Sequence, residues 1–369
     1  MQRQRITIET FIDRVRTRSY DGIASRAALV LLLGLGCYTP ASAHCIVGNR
    51  FFPATLNVDD PCVADELSMP TIAGFKNGDD PSARELDISG EYSKTITENF
   101  GVSFEEAWIH LDIPHEGSAQ GFDNLGTSFK YQFVRNAGAE RAMSISLDVD
   151  WGGTGSKAVD AEPFTTLVPT FFIGQGFGFM PESMRLLKPF AVTAQLGYAI
   201  PTKSSVNEED EETALLFAAP VPRAFNWGGT LQYSMPYLKS SVQDLGLPGF
   251  INRMIPIVEW NLSTETSNFS GDERTTGTIN PGAIYVADKF QLAVEAIIPV
   301  NRASGDNVGV MGQLHLYLDD IFPHSIGKPL FGPTSAAEGV GYLYAQPQTR
   351  TAFVGHAGLF NGSPGPRSP

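Results

Sequence analysis

Three things are scarce in this chain: long apolar runs, positive charge and cysteine. No 18 consecutive apolar residues occur anywhere in its 369 residues, so nothing reads as a membrane-spanning helix. Lys and Arg number 26 against 40 Asp and Glu, for a formal net charge of −14. That sign excludes binding nucleic acid through a global field. There are three cysteines. Cys37 lies in the expected leader, which leaves Cys45 and Cys62 either to pair in an oxidising compartment or to stay as two small unpaired residues. Catalytic signatures are missing too. There is no G-x-S-x-G, H-E-x-x-H, C-x-x-C-H or P-loop. His110 and His115 are not at a helical metal-ligand spacing. No cofactor and no metal site is expected.

What the chain does have is glycine, aromatics and alternation. Gly numbers 37 and aromatics make up 11%, a mix that suits strands. The clearest stretch is Asp288–Phe322. Phe290, Leu292, Val294 and Ala296 alternate with Gln291, Ala293 and Glu295. After NRASGDN, Val308, Val310, Gly312, Leu314 and Leu316 alternate with Gly309, Met311, Gln313, His315 and Tyr317. A period of two means a strand with one apolar and one polar face.

The rest of the chain repeats that pattern behind an export signal. Six Arg precede the apolar run Ala27–Gly36, and Ala41-Ser42-Ala43 fits the cleavage rule. Residues 1–43 therefore read as a signal peptide with the mature start at His44. Lipid attachment at Cys37 is the weaker reading, because Gly34 stands where a bulky aliphatic is usual. Residues 44–69 show no period and read as a periplasmic segment or one folded into a barrel mouth. Over 70–331 the alternation gives about twelve strands, beginning at Pro70–Phe75. Residues 332–369 are rich in Gly, Pro and Ser and read as a disordered low-complexity tail. Long polar connections, including Asn77–Arg84 and Pro201–Arg223, alternate with mostly shorter turns. Trp151, Trp227 and Trp260 fall near one end of their strands, and Phe133, Phe190, Phe290 and Tyr237 near the other. Lipid outside, a polar lumen and two aromatic girdles describe a transmembrane antiparallel β-barrel, an all-β fold. Aromatics of a soluble sandwich core are the competing reading; they would not segregate the polar loops.

Three passages carry a resemblance: FPATLNVDDPCVADEL at Phe52–Leu67, EYSKTITENFGVS at Glu91–Ser103 and AIIPVNRASGDNVGVMGQLHLYLDDIFP at Ala296–Pro323. They resemble Gram-negative outer-membrane transporters of the phenol-degradation meta-pathway type. The resemblance implies an outer-membrane β-barrel passing small molecules. These passages are strand and turn text, not catalytic signatures. The tail beyond Phe331 departs from that pattern.

On the alternation, the lumen presents Glu106, His110, Lys130, Asp148, Asp150, Glu259, Glu295, Gln313, His315 and Tyr317, with Gln132, Gln195 and Gln232. They serve either as a cation-leaning selectivity surface or as an internal polar network. The run Glu208, Glu209, Asp210, Glu211 and Glu212 is a solvated loop, a cation trap or a weak Ca²⁺ site; the EF-hand order and its glycine are absent. The expected function is a passive channel or transporter for small, hydrophobic or aromatic, molecules in the outer membrane of a Gram-negative bacterium. A non-conducting scaffold or surface anchor is the alternative, and a lipid-acting barrel enzyme a distant third. The expected partners are outer-membrane lipid and a small solute. A homo-oligomer suits a channel, but nothing in the chain demands one.

Overall fold

Each alternating stretch forms a strand, because a pleated backbone sends successive side chains to opposite faces. The computed structural model describes residues 44–78, 82–115, 117–209, 216–270 and 273–331. Residues 1–43, where a signal peptide is expected, residues 210–212 of the acidic run and residues 332–369, where a tail is expected, lie outside the described residues. Glu208 and Glu209 lie on a described strand, β11 (Ser205–Glu209), that pairs with β12 (Leu216–Pro220).

Twelve strands close on themselves. They are β3 (Glu66–Lys76), β4 (Arg84–Thr97), β5 (Phe100–Ile113), β7 (Gly126–Asn136), β8 (Arg141–Asp150), β9 (Thr166–Gly176), β10 (Phe190–Pro201), β13 (Arg223–Tyr233), β14 (Met254–Ser267), β15 (Thr275–Val286), β16 (Phe290–Pro299) and β17 (Gly309–Tyr317). Every neighbour pairs antiparallel, and β17 returns to β3 to shut the sheet. Closure leaves no barrel edge. A short strand, β6 (Gly117–Phe122), extends β5 beyond the point where β7 takes over. The barrel begins at Glu66 rather than at Pro70, because a register shift between Ser68 and Thr71 carries the pairing through Met69–Pro70. We call the rim where β3 begins and β17 ends the lower rim. The connections there include helical turns at Glu182–Leu187 and around Met235–Val242.

The outward face is apolar. Ile72, Ile145, Leu196, Leu231, Ile279, Leu292, Val294 and Val310 are all exposed. A continuous apolar belt of this extent is foreign to a soluble surface and suits lipid. Trp151 and Phe104 stand exposed on it, and Phe133 is exposed nearer the lower rim. Tyr237 does not join that lower girdle. It follows β13 in a helical turn and is buried, with the Arg50 guanidinium 3.8 Å above its ring.

The apolar core lies inside the barrel, towards the lower rim. Residues 44–65 fold inward there. They start with a two-rung hairpin, β1 (Ile46–Val47) and β2 (Arg50–Phe51). Its turn needs Gly48: φ is +66°, and a Cβ would sit 2.4 Å from the Ala137 carbonyl oxygen. Phe51 packs with Ile255, Ile257, Ile284, Val286 and Tyr317 of the wall. Phe52 and Val47 pack with Ala142 and Ala191. Cys45 and Cys62 form a disulfide with a Cα–Cα distance of 5.3 Å.

Candidate functional site

The inward faces divide into two zones. In the lower zone the segment 44–65 meets the wall through buried polar contacts. The Arg50 guanidinium donates to Glu140 Oε2 at 3.1–3.2 Å and to the Pro189 carbonyl at 2.9 Å. Tyr237 Oη donates to the other Glu140 oxygen at 2.7 Å. Asn57 donates its amide N–H and side-chain N–H to Glu259 Oε2 at 2.9 and 3.1 Å. Gln195 accepts from the Asp59 amide at 3.2 Å. Lys130 pairs with Asp59 and donates to the Asp60 carbonyl at 3.0 Å. Burial pushes the Asp60 carboxyl well above its ordinary range, with Glu66 adding repulsion and Lys130 partly offsetting both.

At the lower rim, His44 is held by both ends of its ring. Its backbone N–H donates to Asp319 Oδ2 at 3.0 Å, Nδ1 lies 3.3 Å from Asp319 Oδ1, and Nε2 lies 2.7 Å from Asp320 Oδ2. Burial works against charge on this imidazole, yet Asp319, the Asp320 hydrogen bond and Glu66 together raise its pKa. Lys94 pairs with Asp65 and donates to the carbonyls of Ile326 and Lys328, which draws the end of the described chain against the rim.

Above the segment, the barrel encloses a cavity of about 510 Å³. Among the described residues its lining holds nine carboxylates, including Asp59, Glu91, Glu105, Asp123, Asp148 and Asp150, and no lysine or arginine. Ser and Thr hydroxyls fill much of the rest. Asp148 accepts from Ser128 at 2.5 Å, Ser146 at 2.8 Å and Thr170 at 2.9 Å.

The expected lumen residues separate accordingly. Asp148, Asp150, Gln313 and His315 line the cavity. Lys130, Glu259, Glu295 and Tyr317 face inward but meet the segment or the buried wall, away from the cavity lining. Tyr317 Oη donates to Gln291 at 3.1 Å, and its ring lies 3.9 Å from that of His44. Two assignments are corrected. Glu106 and His110 pair across from Gly90 and Leu86, and fall on the outward face with Phe104 and Trp108. The His110 ring stacks on Trp108 at 5.9 Å. Glu105, opposite Glu91, takes the inward place. Two adjacent glutamates fit either phase of the alternation, and only the cross-strand register decides between them. Glu106 still touches the upper margin of the cavity, where β5 parts from β7 beyond the Glu105–Gly126 pair. Sequence reasoning missed Glu91, Glu105 and Asp123; the alternation of Glu85, Asp87, Ser89, Glu91 and Ser93 along β4 carries the signal that could have found the first.

No protein-family model matches the chain, and no curated protein sequence matches it. Solved structures do. An outer-membrane channel from Pseudomonas putida F1 is 11% identical, with 72% of this chain and 99% of that one covered at a TM-score of 0.44. The NanC porin is 8% identical over 68% of this chain and 98% of its own, at 0.43. The transport unit of the autotransporter AIDA-I from Escherichia coli is 12% identical over 76% and 99%, at 0.39. The fold is a closed transmembrane β-barrel, and that statement rests on the strand pairing and the apolar belt of this chain.

Proposed function

We propose that the protein is a passive channel for small solutes in the outer membrane of a Gram-negative bacterium, plugged from the periplasmic side by residues 44–65. The lower rim then faces the periplasm. The observation that carries this reading is the acidic cavity, which is roomy enough for water and small solutes and lined largely by carboxylates and hydroxyls. A carboxylate-rich passage, with Lys130 paired to Asp59 at its floor, favours cations and neutral molecules over anions. Transport runs down a gradient. The fit to hydrophobic or aromatic solutes, and to the phenol-pathway transporters, rests on the resemblance at Phe52–Leu67, Glu91–Ser103 and Ala296–Pro323 alone.

A second reading has its own observation. The segment is tied by a disulfide, a buried Arg50–Glu140 pair and the His44 contacts, which is how a permanent stopper is built. On that reading the barrel is a closed scaffold or surface anchor. Planar-bilayer recording of the folded protein separates the two. Stable steps with cation preference under a salt gradient support the channel. Silence in a sample with the heat-shifted gel mobility of a folded barrel, persisting after residues 44–62 are deleted, sinks it and leaves the scaffold.

A further inference from the structure

Beside the inward segment, the wall holds a cluster of polar atoms with no hydrogen-bond partner among the described residues. Glu259 on β14 and Asn280 on β15 are direct cross-strand partners. Glu295 on β16 pairs with Gly282 on β15, one inward position along from Asn280. A Cβ at Gly282 would lie 2.5 Å from Glu295 Cγ. The missing side chain is what lets Glu295 lie across β15, and the register puts Glu259 and Glu295 on the same inner face with only β15 between them. Relative exposures are 0% for Glu259, 0% for Asn280 and 1% for Glu295. Glu259 Oε1, both Glu295 oxygens and both Asn280 amide atoms have no hydrogen-bond partner. Among the described residues, no lysine, arginine or histidine forms an ion pair with either glutamate.

Buried side chains are ordinarily satisfied, and two adjacent buried carboxylates cannot both stay ionised without a counter-charge. Asn280 is an independent witness. It bears no charge, yet it is fully buried on the same inner face with its amide unspent. The donor set is all oxygen, with no sulfur or imidazole, which selects hard cations. Glu295 has both oxygens free for a bidentate grip. Glu259 has one free and gives the other to Asn57. Such irregular coordination suits Ca²⁺, whereas Mg²⁺ demands a near-ideal octahedron.

We propose that Glu259, Glu295 and Asn280 form a binding site for one Ca²⁺-like cation set into the barrel wall. The cation neutralises the pair and fixes Glu259, and Glu259 holds the inward segment through Asn57. The ion reaches its place past residues 54–57, which also border the cavity. The site itself does not depend on the channel reading; its effect on opening rests on it.

The test uses the mature chain refolded in detergent free of lipopolysaccharide, so that no lipid-bound calcium is counted. Elemental analysis after dialysis in micromolar Ca²⁺ should give one equivalent per chain, and bound Tb³⁺ should luminesce and be displaced by Ca²⁺. Chelation should lower the unfolding temperature of the wild type. Glu295→Gln should abolish the stoichiometric ion and the chelator effect together, while Asp150→Asn, in the cavity, should keep both. Heat-shifted gel mobility reports whether each variant is folded. Should Glu295→Gln not fold, the wild-type stoichiometry decides alone. A wild type that holds no ion, with an unfolding temperature indifferent to chelator, overturns the proposal and leaves the two acids sharing a proton. Stoichiometric binding in a barrel that never conducts would uphold the site and sink only the channel.

Discussion

The upper and lower halves of the barrel interior are built from the same alternation and come out opposite in character. Above, Asp148 is held by three hydroxyls beside an open acidic cavity. Below, Arg50, Glu140 and Tyr237 form a closed, fully paired knot, and Phe51 and Phe52 are packed against isoleucines and alanines of the wall. Strand geometry only decides which residues face in. What they face is decided by the segment 44–65, which turns half of a lumen into a core. Inward charge therefore has two uses in one molecule: in the upper half it is presented, and in the lower half Arg50, Glu140 and His44 spend it on holding the segment.

The comparison can be broken most violently by removing the segment. Deleting residues 44–62 should raise single-channel conductance severalfold, with the folded barrel still heat-modifiable on gels. Unchanged conductance would mean that the lower half is not the barrier. Next in size is Arg50→Ala. It strands the buried Glu140, a change of the kind that costs about 3–5 kcal/mol, and should expose the segment to protease and make openings frequent; equal protease resistance in wild type and variant would refute the knot. Replacing Cys45 and Cys62 by Ala releases a 17-residue separation, and should weaken the seating by about 3 kcal/mol, read as a lower urea midpoint for protease access. In the upper half, Glu105→Gln should reduce the cation-to-anion permeability ratio, while Glu106→Gln should leave it nearly unchanged. Equal shifts in the zero-current potential would erase the assigned register. The smallest effect concerns pH. The raised pKa of His44 means its contribution fades as pH rises through the raised value, while burial lifts the carboxyl of its partner Asp319 to about 7 and weakens the pair below that pH. Opening frequency should therefore climb from pH 7 towards pH 9, and Asp319→Asn should flatten that dependence.

All twelve barrel strands were legible because lipid on one side and polar groups on the other leave a period of two in the sequence. Val308 to Tyr317 is the plainest case. The face assignment failed only on β5, where Glu105-Glu106 carries no phase information and the aromatics Phe104 and Trp108 had to be matched against β4. Depth along the strand was not legible. Glu259 and Tyr317 read as pore-lining because alternation separates inside from outside and says nothing about a second segment occupying the inside. The Arg50–Glu140 pair, 90 residues apart, leaves no local pattern. Nor does Gly282, whose role depends on a glutamate in the next strand.

The inward segment also has a topology of its own. His44 sits at the lower rim against Asp319, and the chain returns to the same rim where Glu66 begins β3. Both ends use one doorway. Nothing has to be threaded through the membrane for the segment to leave, and the strand that follows it can stay in the wall. The Cys45–Cys62 disulfide closes most of the segment into one loop, so a withdrawn segment would hang beside Glu66 as a compact looped tether, close enough to the opening to find its place again. A stopper of this kind cannot be lost from the molecule that it closes.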